Sequence, residues 1–591
     1  ISNAKNELIL PDQYPVQNYR DEVIQRVFRR YQEMLLANNA VDFDDLLLYT
    51  AYLLEENPPI RDRYARRFEH ILVDEFQDTN MAQYRLLRNL ASQHRNLFVV
   101  GDADQSIYRW RGADYRNVLR FREDFPDAQL ILLEQNYRSK QSILDLATAV
   151  IDHNPQRTPK RLFSDLGQGQ KPILYEANDD RIEAAFVVDV IRKLISDEQA
   201  NPGDFAVMYR TNAQSRLLEE AFLQMGIPYR LVGAQRFYGR KEIKDVIAYL
   251  RATLNPDDEL SLTRIINTPT RGIGNKTYLL LKTQAQREHI SPGRLLIQLN
   301  DNQHIEFIEA AGGRAKTALL AFAKHFAAWV GLKEDLPPLA LMDRILDDTD
   351  LRSFIDDGTD EGQDRWENVL ELRRLAAEYQ DLGLTAFLEQ IALVSDQDTI
   401  EGNTNAPTLL TLHAAKGLEF PVVFITGLND GLLPHSRSFE DPEAMQEERR
   451  LFYVGITRAK EQLFLTYSQN RSAYGYGEPV LPSRYLDDIP FDLVDELQPY
   501  RSHKRSALSI ESRPERWETS YDKPVRSSRR KEKNEQEQRF SPGIKVDHPV
   551  WGEGLVLNSR LQDDDEIVDV FFADVGLKHL AASLARLEIR S

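Results

Sequence analysis

Between positions 17 and 37, Val23, Ile24, Val27, Phe28, Tyr31 and Leu35 recur at three- and four-residue steps. That period places them on one face of an amphipathic helix. Short apolar runs follow at 71–73, 97–100 and 130–133, separated by helical patterns. Their length predicts strands, and strands alternating with helices predict an α/β layer around a parallel sheet. FAVMYR (205–210), VVFITGL (422–428) and LFLTY (463–467) predict a second α/β set. Residues 251–398, lying between parts of that set, carry helical patterns with long polar faces. The simplest topology is a second α/β domain interrupted by a helical insertion. Residues 501–540 hold 12 Lys/Arg against 7 Asp/Glu and few aliphatics, which reads as a basic flexible linker. After it, GIKVDHPVWGEGLVL and EIVDVFFADVGLKHL show short β-rich runs with glycine turns. They predict a small β-barrel of about 50 residues, near the lower limit for independent folding.

Composition narrows the class. At roughly 150 residues per domain, 591 residues give a prior of about four domains. With 42% hydrophobic and 28% charged residues, ordinary folded cores are expected. No stretch approaches the ~20 apolar residues that span a bilayer, and ISNAKNELIL has none of the marks of a secretion signal. The absence of cysteine excludes disulfides and thiolate metal sites and fits an intracellular protein. A net charge of −19 excludes a uniformly basic nucleic-acid binder but leaves room for a local basic groove.

The chemistry starts at ILVDEFQDTN (71–80), where a buried run ends in Asp74-Glu75. A carboxylate at a strand's carboxyl end can hold Mg²⁺, and its neighbour can deprotonate an attacking water. Taken alone, the pair reads equally well as two solvated carboxylates. VVGDADQSIYRWRGAD (99–114) then ends a strand in Gly101-Asp102 and sets Gln105 near the strand ends. Its Tyr108, Arg109, Trp110 and Arg111 interleave rings with guanidinium groups, which suits single-stranded nucleic acid, while YRWR by itself favours a core Trp and Tyr capped by surface arginines. LLEQNYRS (132–139) offers Tyr137 and Arg138. TLHAAKGLEF (411–420) offers His413, Lys416 and Glu419, and EERRLFYVGITRAK (447–460) offers Arg458. Two arginines distant in sequence, Arg138 and Arg458, can converge on one phosphate.

In this order and spacing the segments resemble superfamily 1 DNA helicases of the UvrD/PcrA/Rep type, closest to the PcrA/UvrD branch. The resemblance implies two RecA-like P-loop NTPase-type domains with ATP between them, helical insertions and a Tudor-like C-terminal barrel. It implies that Asp74 binds Mg²⁺, Glu75 is the catalytic base and Gln105 senses the γ-phosphate. Tyr137 would stack on adenine, Arg138 and Arg458 would be arginine fingers, and Glu419 would contact the ribose. Phe43, Tyr108, Trp110, Arg111, Arg210, Asn212, His413 and Tyr474 would contact the single strand. NTPTRGIGNKT (267–277) resembles a helix-hairpin-helix turn whose Gly272 and Gly274 would face duplex phosphates. The implied partners are single-stranded DNA, single/double-strand junctions, RNA polymerase through the barrel, and repair proteins. The implied location is the bacterial cytoplasm, with no membrane.

The expected division is 1–65 and 66–132 for an incomplete first RecA-like domain, the former being the remainder of its helical insertion. Residues 133–250 and 399–496 form the second RecA-like domain, 251–398 its insertion, 497–540 the linker and 541–591 the barrel. No G-x-x-x-x-G-K-[ST] phosphate cradle is found; GIGNKT (272–277) is the nearest string and has Asn275 out of place. The expectation is therefore an ATP-dependent 3′–5′ helicase of DNA repair and replication lacking its N-terminal Walker A segment, and so inactive as this chain. The alternative is a non-catalytic DNA- and RNA-polymerase-binding fragment. A helicase-nuclease subunit is set aside because no terminal carboxylate-lysine cluster is found.

Overall fold

The computed structural model describes residues 1–155, 157–301, 303, 306–309, 313–397, 405–473, 476–497, 544–548, 552–562, 565–572, 576–581 and 588–589. Tyr474 and all but the first residue of the expected 497–540 linker lie outside them. The chain divides into two units, Ile1–Leu508 and Ser509–Ser591.

The first unit opens with helices. Tyr19–Ala37 is one, as its periodicity predicts, with Asn18 as cap accepting from the Asp21 amide. Phe28 is its fully buried anchor, while Val27 and Tyr31 stay exposed, so the apolar stripe is narrower than the sequence suggests. Helix Phe43–Glu56 follows, and buried Lys5 ties its start through Asp42 at 2.7 Å and Asp45 at 2.8 Å. The first α/β lobe has strands β1 (Ile71–Val73) and β2 (Leu97–Val99), paired in parallel with Ile71 beside Leu97. The strand expected at 130–133 does not form, and Leu130, Ile131, Leu132 and Leu133 are exposed. An apolar run becomes a strand only where a neighbour supplies a hydrogen-bonding edge. Among the described residues the segment that follows finds only the isolated bridge Gln135–Phe163.

The second lobe is an eight-stranded sheet. Its strands are β3 (Ile173–Asp179), β4 (Phe205–Tyr209), β5 (Arg230–Val232), β6 (Thr408–Thr411), β7 (Phe420–Ile425), β8 (Ala459–Ala473), β9 (Tyr476–Pro479) and β10 (Asp495–Leu497). The order is β10-β3-β8-β7-β4-β6-β5, all parallel, with β9 antiparallel on β8. Alternation along β4 shows why both faces are covered. Ala206 and Met208 face a core shared with helices Gln141–Ile151 and Pro442–Ile456, while Phe205, Val207 and Tyr209 face helices Asp180–Ser196 and Ser215–Gln224. Ile107 of the first lobe is buried in the former core, so the lobes share apolar contacts.

Residues 241–397 are helical wherever they form regular structure among the described residues, packed around fully buried Trp329. In the second unit β11 (Lys545–His548), β12 (Gly552–Gln562), β13 (Asp565–Phe572), β14 (Gly576–Ala581) and β15 (Glu588–Ile589) pair antiparallel. Their order is β14-β13-β12-β11-β15, with Val546, Val556, Val568, Val570 and Phe572 buried. Among the described residues this is a five-stranded sheet with two ends, coarser than the expected closed barrel.

Candidate nucleotide cleft and strand-binding surface

Both strands of the first lobe end where it meets the second lobe. After β1, Asp74 accepts a hydrogen bond from the Glu75 amide at 2.9 Å, and Glu75 takes a left-handed backbone with φ +48°. After β2 comes Gly101, where a β-carbon would stand 2.4 Å from the Gln77 side-chain oxygen. Gln77 is fully buried and brackets the two ends: its amide donates to the Glu75 carboxylate, and its oxygen accepts from the Asp102 amide at 3.0 Å. The motif reading missed Gln77, since only the fold shows that it spans two strands.

The second lobe meets these ends with three cations. Lys416 Nζ pairs with Asp78, donates to the Gln105 carbonyl at 2.8 Å and lies 3.7 Å from Glu75 Oε2. Arg458 is buried; its Nη2 donates to Gln105 Oε1 at 3.2 Å and its Nε to the Val454 carbonyl at 3.0 Å. Arg138 donates to Glu419 at 2.7 Å and to the carbonyl of Thr457, next to Arg458, at 3.3 Å. Burial first, and the Arg138 charge second, push the Arg458 guanidinium down to about 10, while Glu75 and Asp102 pull the other way. Glu75, Gln105, Arg138 and Arg458 thus share one electrostatic neighbourhood. Tyr137 projects beside them, 79% exposed, its hydroxyl donating to Gln135 at 2.8 Å. A further clamp was not legible in the sequence. Arg157 reaches Asp104 at 2.9 Å, and Lys160 reaches Asp104 at 3.0 Å and also pairs with Asp102.

Glu419 carries a pH consequence. Hydrogen bonds from Lys460, then Arg138, hold its carboxyl at about 2. A depressed folded pKa means the tie stabilises fully above the ordinary value of 4.5 and is lost as pH falls towards about 2. Acid unfolding of Glu419→Gln beside the parent chain checks this: the stability gap should close across that window. A gap independent of pH would show that the ion pairs contribute nothing there.

The expected strand contacts separate into groups. Tyr108, Trp110 and His413 cluster: Tyr108–Trp110 and Trp110–His413 ring centroids are each 6.5 Å apart, and the Tyr108 hydroxyl donates to the His413 carbonyl at 3.4 Å. Trp110 is 41% exposed, so a base has a face to stack on. Arg111 closes the same turn, Arg109–Arg111. Arg210 is engaged with Glu448, Nε at 3.0 Å and Nη2 at 2.7 Å. Asn212 begins the turn just after β4, and its carbonyl accepts from Arg240 at 3.0 Å. Phe43 stands 90% exposed at the start of its helix in the N-terminal region. Gly272 has φ +81°, and Gly274 caps helix Asn275–Arg287 with open space around both. Tyr474 lies outside the described residues.

Three family descriptions match the chain. The UvrD/REP helicase N-terminal domain matches residues 1–126, the UvrD-like helicase C-terminal domain 131–470, and the PcrA/UvrD tudor domain 543–588. The chain belongs to the UvrD-like helicase family. Among its relatives, an ATP-dependent DNA helicase PcrA of Bacillus subtilis is 40% identical over 602 residues, covering 100% of this chain and 80% of its own length. The PcrA of Leuconostoc citreum is 38% identical over 606 residues, covering 100% and 80%. Among solved structures, the C-terminal domain described as that of a possible DNA helicase from Lactobacillus plantarum covers 61% of this chain and 98% of its own, at 11% identity and a TM-score of 0.23.

The match over residues 1–126 corrects one expectation. The chain was expected to lack the N-terminal Walker A segment of the helicase and so to be inactive; the N-terminal domain description matches from residue 1, and both conclusions fall.

Proposed function

We propose that the chain is an ATP-driven DNA helicase that translocates 3′ to 5′ on single-stranded DNA in repair and replication. One observation carries this: Glu75, Gln105, Arg138 and Arg458 come together where two α/β lobes meet, and Lys416, which touches the same turns, lies over the Tyr108 ring of the Tyr108–Trp110–His413 cluster. Glu75 orients and deprotonates the attacking water, Gln105 reads the γ-phosphate, and the two arginines meet charge as it develops. Tyr137 offers an exposed ring to adenine, and Glu419 faces the ribose.

Asp74 fits magnesium. The ion takes one or two carboxylates together with substrate phosphates and waters, and Asp74 is an exposed oxygen donor at a strand end. When bound, magnesium neutralises phosphate oxygens.

Arg210, Asn212, Arg111, Phe43 and Tyr474 extend the strand path, and Gly272 and Gly274 meet the duplex; residues 1–132 form the first RecA-like domain, 133–250 and 399–496 the second, 251–398 its insertion, 497–540 the linker and 541–591 the Tudor-like module. The tudor-domain match at 543–588 supports a separate C-terminal docking module, for which RNA polymerase is the proposed partner. The cytoplasm is the proposed location; among the described residues no helix is long and apolar enough to cross a membrane.

The test is ATP hydrolysis with and without single-stranded DNA, together with unwinding of 3′-tailed and 5′-tailed duplexes. DNA-stimulated hydrolysis and preference for the 3′ tail are expected. Strand binding without hydrolysis would favour the non-catalytic reading. Trp110→Ala should weaken oligonucleotide binding by about 1–3 kcal/mol, read by fluorescence anisotropy. Unchanged affinity would make Trp110 a packing residue only.

A further inference from the structure

Gln105 is held at both ends of its side-chain amide. Its Nε2 donates to Asp102 Oδ2 at 2.8 Å, and its Oε1 accepts from Arg458 Nη2 at 3.2 Å. An amide can turn over and exchange these ends, so its neighbours decide which way it points. Asp102 is the neighbour on one side, and its carboxylate is itself held. Oδ1 accepts from the Asp104 amide at 3.0 Å and pairs with Lys160. Lys160 also reaches Asp104 at 3.0 Å, and Arg157, three residues earlier, meets the same Asp104 oxygen at 2.9 Å. Both cations come from the second lobe, in the stretch between helix Gln141–Ile151 and β3, while Asp102 and Gln105 follow β2 in the first. The Lys160 side chain is 15% exposed, and its ammonium lies 5.9 Å from the ring centroid of buried Tyr453.

Resting on the helicase reading, we propose that Lys160 is a positioning residue: through Asp102 it fixes the orientation in which the Gln105 amide meets the γ-phosphate. An ionised carboxylate accepts hydrogen bonds and donates none, so it can hold only the NH₂ end of the amide. The Gln105 oxygen is thereby left to Arg458. Burial pushes the Asp102 carboxyl up, but Lys160 first, then Gln105 and the Asp104 amide, hold it below its ordinary value. Without the ammonium, Asp102 is a charge of low exposure that has lost its counter-ion. It then takes up a proton or turns away. A protonated carboxyl can donate to the amide oxygen, which lets Gln105 turn over and lose Arg458. Lys160 touches no nucleotide in this account and acts only through the carboxylate it holds.

The experiment uses the full chain and measures its affinity for ADP and for a non-hydrolysable ATP analogue, each with magnesium. The ratio of the two reads γ-phosphate recognition and needs no turnover. Wild type, Lys160→Met, Lys160→Arg, Gln105→Ala and the double variant Lys160→Met/Gln105→Ala are compared, with thermal melting measured first. Lys160→Met should keep ADP affinity and lower the relative affinity for the triphosphate about 5-fold or more. Lys160→Arg should recover most of it. Adding Lys160→Met to Gln105→Ala should change the ratio no further, because the amide it orients is gone, whereas a merely structural role would cost the same in both backgrounds. Should Lys160→Met not fold, Asp102→Asn keeps the shape, removes the charge and stands in for it in both backgrounds with the same expectations. An unchanged ratio in folded Lys160→Met, or equal losses with and without Gln105, overturns the positioning role and leaves the helicase reading intact. Failure of wild type to bind either nucleotide overturns the helicase reading and the positioning role with it.

Discussion

Replacing Arg458 by alanine is expected to lower kcat for ATP hydrolysis about 10³–10⁵-fold, the range an arginine finger supplies. The guanidinium is buried on the turn that ends helix Pro442–Ile456, held by the Val454 carbonyl and by Gln105 Oε1. At about 10 its pKa lies well above neutral, so it acts as a fixed cation without reorganising at the moment of reaction. Truncation also strips Gln105 of a donor, so the proposed γ-phosphate sensor and the proposed finger are disturbed together and their losses will not add. Arg458→Lys keeps a charge but not the planar fork that reaches Val454 and Gln105 at once, and should rescue only weakly. Thermal melting separates chemistry from stability: a folded variant with near-normal kcat would remove Arg458 from the reaction.

With Glu75 as the proposed general base, Glu75→Gln should lower kcat by about 10²–10⁴-fold. The substitution preserves shape and the reach to Gln77, so the left-handed turn at φ +48° should survive. KM for ATP and strand affinity should therefore stay close to the parent values, the signature of an interaction made only in the transition state. Stopped-flow hydrolysis and anisotropy on one preparation give both quantities. An equal rise in KM with kcat intact would mean that Glu75 holds substrate and activates no water.

The neutral companion of Glu75 in this arrangement is Gln77, and it marks where sequence reasoning stopped. VDEFQDTN could be placed after a strand by its apolar run, and GDADQ after another, yet nothing local says that one buried amide ties the two ends together. The 130–133 run failed for a related reason: its apolar residues match a strand, but strand formation depends on a neighbour that sequence does not display. Arg210 was named as a strand contact by the family resemblance alone; that Glu448 stands against it is visible only in the fold.

Local pattern was enough for the helix at Tyr19–Ala37, for strand β4, for the helical run between β5 and β6, and for which residue types gather at strand ends. These depend on period and on chemistry within a few residues, which a chain carries along its length. The meeting of Lys416 with Asp78, 338 residues apart, and of Arg458 with Gln105, 353 apart, came only with the folded chain. Such contacts exist because two lobes share an apolar seam at Ile107 and close their charged edges over it, and no local period encodes that distance.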